Sequence, residues 1–247
     1  LLPVVLLRCR AELRRVTARD LVLCGASGVL LALHFLTWFE SLKRTSVASS
    51  TVLVSTEVIF TALGFALFLH GKIPRLGVWA ILLAFGGSAL LALSGGGGAG
   101  ELSGNLLALA AASAAAVYTL IGRIQRGHLS TTVYTFLTYL ACFLTLLLGT
   151  AAAGTPLTGY GGREWLIGLA LAVLCTLLGH SLFSWCLKYL SPSYVSAAKL
   201  CEPVFSSLAA IPLFGEVPGP LQLAGGAAVL GAVLLYTWAE REKTPAG

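Results

Sequence analysis

The stretch that decides the fold is Val47–Leu69, VASSTVLVSTEVIFTALGFALFL, an apolar run with a single charged residue, Glu57, near its middle. A second stretch, Tyr194–Phe214 (YVSAAKLCEPVFSSLAAIPLF), has Lys199 and Glu202 in a similar setting. Each is about as long as a helix that crosses the hydrocarbon core of a bilayer. A charged side chain at that depth costs about 2.5–3.5 kcal/mol on insertion scales, so each of these residues calls for a structural or functional reason.

The composition of the whole chain indicates a membrane protein with several spans. Of the 247 residues, 57% are hydrophobic and 11% are charged, whereas an average soluble domain has about 25% charged residues. Dividing the chain at charged and Gly/Pro-rich segments predicts eight complete spans after a short apolar stub, Leu1–Leu7. The predicted spans are Leu21–Phe39, Val47–Leu69, Leu76–Leu93, Leu106–Ile124, Thr132–Thr150, Trp165–Leu187, Tyr194–Phe214 and Leu221–Trp238.

The basic residues predict the orientation of the chain, because cytoplasmic loops are enriched in Lys and Arg. Alternating the loops between the two sides of the membrane places three of the 16 basic residues on one side and twelve on the other, with Lys199 inside a span. The three are Lys43, Arg44 and Arg163; the twelve are Arg8, Arg10, Arg14, Arg15, Arg19, Lys72, Arg75, Arg123, Arg126, Lys188, Arg241 and Lys243. We therefore expect the C-terminus to be cytoplasmic.

The chain contains an internal repeat. An offset of 145 residues aligns Leu42, Lys43, Ser46, Glu57, Phe60 and Leu63 with Leu187, Lys188, Ser191, Glu202, Phe205 and Leu208. An offset of 144 then aligns Gly71, Pro74, Gly87, Leu90 and Leu91 with Gly215, Pro218, Gly231, Leu234 and Leu235. Because five crossings separate the paired spans, the two halves run in opposite directions through the membrane. Inverted repeats with a site between them are typical of secondary transporters.

Short motifs in both halves carry a family resemblance. They are Leu33–Phe39, Leu42–Lys43, Thr45–Ala48 and Glu57–Leu63 in the first half, and Trp185–Lys188, Val195–Ser196, Glu202–Phe205 and Phe214–Glu216 in the second. In this order the motifs resemble those of the EamA-type transporters of the drug/metabolite transporter superfamily. The first half departs from the family pattern, with Val58 where the second half has Pro203 and Lys72 where it has Glu216.

The resemblance implies an all-α, ten-helix fold made of two inverted five-helix repeats around a central cavity that moves small metabolites, many of them amino acids, by alternating access. On this basis the first repeat covers residues 1–94, a Gly-rich linker 95–104, the second repeat 105–240 and a cytoplasmic tail 241–247. The eight predicted spans and the stub fall short of ten helices, and the chain begins at Leu1 and has no Met. We therefore expect one helix and most of a second to precede it.

Two polar stripes are the candidate lining of the substrate path. Helical periodicity puts Ser50 on the face of Glu57, and it puts Lys199 and Ser206 on the face of Glu202. The two carboxylates are interpreted as substrate ligands or proton carriers. The structural alternative is that Lys199 and Glu202, three residues apart, neutralise each other.

Histidines in two other spans are further candidates. His34 and Trp38 lie one helical turn apart in the span before Glu57, and His180 occupies the equivalent span of the second half. Each histidine could bind substrate, relay protons or hydrogen-bond a neighbouring helix.

The residue patterns argue against several classes of function. No single span carries a nucleophile with a base, or histidines and a carboxylate at metal-ligand spacing, so we expect neither an enzyme nor a bound cofactor or metal. The basic residues form no continuous stripe, which argues against a nucleic-acid partner. The expected partners are a small-molecule substrate and the lipid bilayer of a bacterial-type cell membrane, with proton coupling and oligomeric state left open. The alternative function is a membrane scaffold or partner subunit without transport.

The charge bias predicts that the C-terminal end of the chain faces the cytoplasm. A cysteine placed near Gly247 should therefore react with an impermeant maleimide only after the cells are opened. Labelling of that cysteine from outside intact cells would contradict the predicted orientation.

Overall fold

The computed structural model describes residues 1–70, 74–94, 99–199, 211–213, 215 and 217–241. These residues form helices and short connections, with no strand among them. The helices are α1 Leu2–Arg8, α2 Arg10–Leu13, α3 Ala18–Leu42, α4 Val47–Val54, α5 Glu57–Phe68, α6 Arg75–Ser94, α7 Ala99–Gln125, α8 Thr131–Ala152, α9 Gly162–Ala170, a π-helical segment Leu171–His180, α10 Ser181–Cys186, α11 Pro192–Ala198 and α12 Pro220–Arg241.

The predicted all-α polytopic fold is confirmed. Within the described part of the chain, six helical stretches are long and apolar enough to cross a membrane: Ala18–Leu42, Ser49–Phe68, Glu101–Gln125, Thr131–Ala152, Gly162–Cys186 and Pro220–Ala239. The predicted span Leu76–Leu93 corresponds to α6. α11 covers the beginning of the predicted span Tyr194–Phe214, and residues 200–210 and 214 lie outside the described residues. The structure does not test the number of repeats.

Serine and threonine side chains set where three of the helices begin. Ser46 and Ser130 accept hydrogen bonds from the backbone N–H groups of Ser49 and Val133, at the starts of α4 and α8. Thr17 and Asp20 bond to each other's backbone at the start of α3, which is a capping box. α7 begins at Ala99, earlier than the span predicted from Leu106. The first four residues of the predicted linker, 95–98, lie outside the described residues.

The predicted span Val47–Leu69 corresponds to the apolar helical stretch Ser49–Phe68. This stretch has a two-residue break at Ser55–Thr56, since α4 ends at Val54 and α5 begins at Glu57. Two hydroxyls bond back to the preceding turn at this break. The Ser55 Oγ donates to the Thr51 carbonyl at 2.8 Å, and the Thr56 Oγ1 donates to the Leu53 carbonyl at 2.6 Å. Such back-bonding competes with the regular helical ladder. The break places Glu57 in the first turn of α5.

The described chain divides into two compact units. The first comprises Leu1–Ala32 and Ile121–Ser191. Its core includes the buried Cys24, Leu129 and Tyr134, and the Tyr134 hydroxyl shares a 2.8 Å hydrogen bond with the buried Ser27. The second comprises Leu33–Leu120 and Pro192–Gly247. Each unit takes segments from both predicted repeats, so the repeat boundaries stay a prediction.

The core of the second unit depends on close packing of α6 against α12. Buried Ile81 and Ala84 of α6 share one apolar cluster with Ala232 of α12. Gly87 lets the helices approach closely, because a Cβ atom there would lie 2.9 Å from the Gly225 carbonyl oxygen and 2.9 Å from the Val229 nitrogen. At the neighbouring Gly86, a Cβ atom would meet nothing within 4 Å.

Gly87→Ala should therefore destabilise the protein, and Gly86→Ala provides a matched control on the same helix. Overpacking a well-packed contact costs about 1–3 kcal/mol, whereas alanine at an open helical site gains up to about 1 kcal/mol. Thermal or SDS-induced unfolding of the two purified variants measures the difference. Equal stability of the two variants would contradict the α6–α12 contact.

Candidate functional site

The site is centred on Glu57, in the first turn of α5. The residue is 5% exposed, although it lies in an otherwise apolar span. At the preceding Ser55 and Thr56 the backbone stays in the right-handed helical region, and both N–H groups are bonded to the preceding turn. The carboxylate is therefore stabilised by side chains from other segments.

Three side chains donate hydrogen bonds to the Glu57 carboxylate. The Lys199 ammonium lies 2.9 Å from Oε1 and 3.0 Å from Oε2. The Thr119 hydroxyl of α7 donates to Oε1 at 2.9 Å, and the Ser196 hydroxyl of α11 donates to the same atom at 3.1 Å. The carboxylate thereby joins α5, α7 and the end of α11.

The ion pair between Glu57 and Lys199 is largely withdrawn from water, with side-chain exposures of 7% and 16%. In such surroundings the attraction between the charges is stronger than in water, but each charge has lost its hydration. Breaking such a pair by removing one of its charges is strongly destabilising. The pair is therefore stable only while each charge faces an opposite charge or several hydrogen-bond donors or acceptors.

A small cavity lies beside this pair. Its lining residues are Trp38, Thr51, Val54, Ser55, Glu57, Ser196 and Lys199, and its volume is about 20 Å³. A cavity needs about 10–15 Å³ to hold one water molecule. A cavity of this volume has room for a water molecule but not for a metabolite.

Two aromatic residues of α3 extend the site. The ring of His34 stacks on that of Trp38, with centroids 5.8 Å apart, and the His34 Nδ1 bonds to the Ala111 carbonyl oxygen at 3.0 Å. Because a carbonyl can only accept, that nitrogen carries a proton. The Trp38 Nε1 is buried, and no acceptor for its N–H occurs among the described residues. Trp38 therefore combines a buried N–H donor with a position in the lining of the cavity.

The other predicted site residues have different surroundings. Ser50 is buried and shares a 2.9 Å hydrogen bond with Ser41 of α3, and it is not among the cavity-lining residues that the structure describes. His180 ends the π-helical segment and belongs to the first compact unit. Glu202 and Ser206 lie outside the described residues.

Sequence analysis missed two of the three partners of Glu57. It offered Glu202, which lies outside the described residues, as a partner for Lys199, and it did not predict the pair that Lys199 forms with Glu57. Periodicity along one helix shows only local neighbours, so this contact between residues 142 positions apart had no local signal. Ser196 precedes Lys199 by three residues and shares its helical face, which could have identified it. Thr119 had no comparable signal.

The chain is similar to several known membrane transport proteins. The EamA-like transporter family matches residues 1–93 and 102–238. A pseudopaline exporter, CntI of Pseudomonas aeruginosa, is 24% identical over 207 residues, covering 84% of this chain and 72% of CntI. A probable terminal-alkyne amino-acid exporter of Streptantibioticus cattleyicolor is 28% identical over 233 residues, covering 90% of this chain and 75% of that protein.

Two further matches agree with these. The threonine/homoserine exporter RhtA of Escherichia coli is 26% identical over 167 residues, covering 68% of this chain and 56% of RhtA. A solved crystal structure superimposes on the chain with a TM-score of 0.62 and 22% identity, covering 96% of this chain and 84% of the other. This structural likeness shows the fold alone.

The buried pair predicts non-additive effects on stability. Glu57→Gln alone should cost about 3–5 kcal/mol, because it breaks a buried ion pair by removing one of the two charges. The double variant Glu57→Gln/Lys199→Met should cost less than the sum of the single variants. Glu40→Gln is the control, since Glu40 pairs with Lys43 and Arg44 at the surface and should change stability by about 0–1 kcal/mol. Additive single and double variants in an unfolding titration would contradict the pairing.

Proposed function

The chain belongs to the EamA-like transporter family, and from this premise we propose that it exports small metabolites carrying both an ammonium and a carboxylate group. It acts as a secondary transporter in a bacterial-type cell membrane, and it alternates access to a site between inverted repeats. The observation that carries the substrate class is the buried Glu57–Lys199 pair beside the cavity.

The names of the relatives support this class of cargo. RhtA is named for threonine and homoserine, and the Streptantibioticus protein for an amino acid. All three compounds carry an amino group and a carboxylate. A site that offers one buried anion and one buried cation complements both groups at once.

In the proposed binding step the substrate exchanges with the ion pair. Its ammonium group takes the place of the Lys199 ammonium on Glu57, and its carboxylate accepts hydrogen bonds from Lys199. Thr119 and Ser196 keep their bonds to Glu57, which holds that carboxylate in position. The Trp38 N–H offers a further donor to the substrate. Both buried charges remain compensated, so binding avoids the penalty of an unpaired buried charge.

The size of the cavity supports a conformational change during this step. A space of about 20 Å³ cannot admit an amino acid, so the Glu57–Lys199 contact has to open for binding. The break between α4 and α5 lies directly before Glu57. Broken helices at the binding site are a recurrent feature of secondary transporters. We assign the break as the hinge that lets Glu57 move with α5.

The remaining predicted residues keep supporting roles in this proposal. Glu202 and Ser206 complete the substrate path from the second repeat. His34 and His180 are candidate proton relays, and Ser50 supports α4 through its bond to Ser41. Glu202→Gln should lower transport while leaving membrane insertion intact, and unchanged initial rates at matched expression would remove Glu202 from the site.

Transport assays with matched substrate analogues test the proposed exchange. In proteoliposome counterflow, the wild-type protein should favour threonine over threoninol, which lacks the carboxylate, and over 3-hydroxybutyrate, which lacks the ammonium group. Glu57→Gln should weaken threonine transport about 10- to 100-fold, in line with the loss of a charge-assisted hydrogen bond. The same variant should lose its preference for threonine over 3-hydroxybutyrate, because Glu57 recognises only the ammonium group.

Controls separate this account from its alternatives. Lys199→Gln should erase the preference for threonine over threoninol, and the surface variant Glu40→Gln should behave as wild type. Variants of Glu57 and Lys199 that alter stability but leave transport and selectivity unchanged would contradict the proposed role of the pair. Absence of transport by the folded, inserted wild-type protein would favour the scaffold function.

A further inference from the structure

A segment at the start of the chain exposes an unusual number of arginines. Residues 1–20 hold five of the eleven arginines in the sequence and no lysine. All five side chains are exposed: Arg8, Arg10, Arg14, Arg15 and Arg19. We refer to residues 8–19 as the arginine segment. In the part of the chain that the structure describes, no ion pair involves any of these five.

The two acidic residues near these arginines are engaged elsewhere. The Glu12 Oε1 accepts the backbone N–H of Ser130 at 2.6 Å. Burial lowers the pKa of the Arg126 guanidinium, and the nearby Tyr189 and Glu12 oppose this shift, so the Glu12 charge also acts on an internal guanidinium. These contacts turn the only carboxylate of the arginine segment toward the α7–α8 connection.

Asp20, directly after the arginine segment, is also satisfied internally. Its Oδ2 accepts hydrogen bonds from the backbone and hydroxyl of Thr17. Its Oδ1 lies 3.1 Å from the Gln125 amide nitrogen and 2.8 Å from His128 Nε2. The residue is only 6% exposed. The surface of this region therefore presents five guanidinium groups, and among the described residues neither nearby carboxylate forms an ion pair with any of them.

The position of the arginine segment indicates which anion it meets. It lies between the apolar run Leu1–Leu7 and the membrane-spanning helix α3, which begins at Ala18. The apolar side chains that follow at once in α3, Leu21 and Val22, are 53% and 70% exposed. Arginines that directly flank lipid-facing apolar residues lie at the depth of the headgroups. Guanidinium groups bind phosphate oxygens through paired N–H donors, which lysine cannot do.

We propose that the arginine segment binds the phosphate of an anionic phospholipid, and that this lipid stays with the protein as a specific ligand. The arginines hold the headgroup, and the exposed apolar start of α3 contacts the acyl chains. This role goes beyond orienting the chain, for which positive charge alone is sufficient. It is independent of the substrate site, since it concerns residues of the first compact unit only.

Native mass spectrometry of the full chain titrated with phosphatidylglycerol or phosphatidylcholine tests the proposal. The wild-type protein should retain phosphatidylglycerol in preference to phosphatidylcholine. Arg14→Gln/Arg15→Gln should weaken phosphatidylglycerol binding about fivefold for each arginine removed. The charge-matched control Lys43→Gln/Arg163→Gln removes two exposed positive charges elsewhere in the chain and should leave binding unchanged.

A second variant keeps the test valid if the glutamine variant fails to insert. Arg14→Lys/Arg15→Lys keeps the positive charge that orients the chain, but it lacks the paired donors. It should insert normally and bind phosphatidylglycerol more weakly than the wild type. The proposal would be overturned if the wild type retained the two lipids equally, or if the lysine variant bound phosphatidylglycerol as well as the wild type does. It would also be overturned if the arginine variants and the control lost binding equally. Release of phosphatidylglycerol by millimolar inorganic phosphate would also overturn it, because the site would then bind the free anion.

Discussion

The arrangement of the candidate site depends on one buried ion pair, between Glu57 and Lys199. A single glutamate in an apolar span is costly, and the structure compensates it with an ammonium group and two hydroxyls from α7 and α11. Because two of these partners come from residues 196–199, the carboxylate ties the start of α5 to a segment more than 130 residues away in sequence. The same charges that hold this closed arrangement are the groups that a zwitterionic substrate can satisfy in turn.

The packing around the pair differs between two parts of the second unit. The break at Ser55–Thr56 separates α5 from α4, whereas α6 and α12 approach closely at Gly87. The proposed alternating access assigns movement to the broken span and a fixed position to the α6–α12 pair. Family membership and the named exporters among the relatives agree with this account.

Sequence analysis predicted much of the fold because hydropathy and span length are local properties. The apolar blocks matched six membrane-length helices, and Ser46 and Ser130 began helices near the predicted positions. The break inside Val47–Leu69 escaped prediction, because the stretch contains no proline, and serine and threonine also occur within unbroken helices of this chain, such as Thr145 in α8. Glu57 and Lys199 were identified singly from their cost in a membrane, but their pairing is a tertiary contact. No helical period along one segment encodes it, and the same holds for Thr119.

The most direct measurement is an experimental structure of the protein in lipid nanodiscs with a transported amino acid bound, beside one without it. We expect the substrate ammonium within hydrogen-bond distance of the Glu57 carboxylate, the substrate carboxylate on Lys199, and the direct Glu57–Lys199 contact broken. The structure without substrate should retain that contact. A bound amino acid that lies elsewhere while the Glu57–Lys199 pair stays intact would contradict the account.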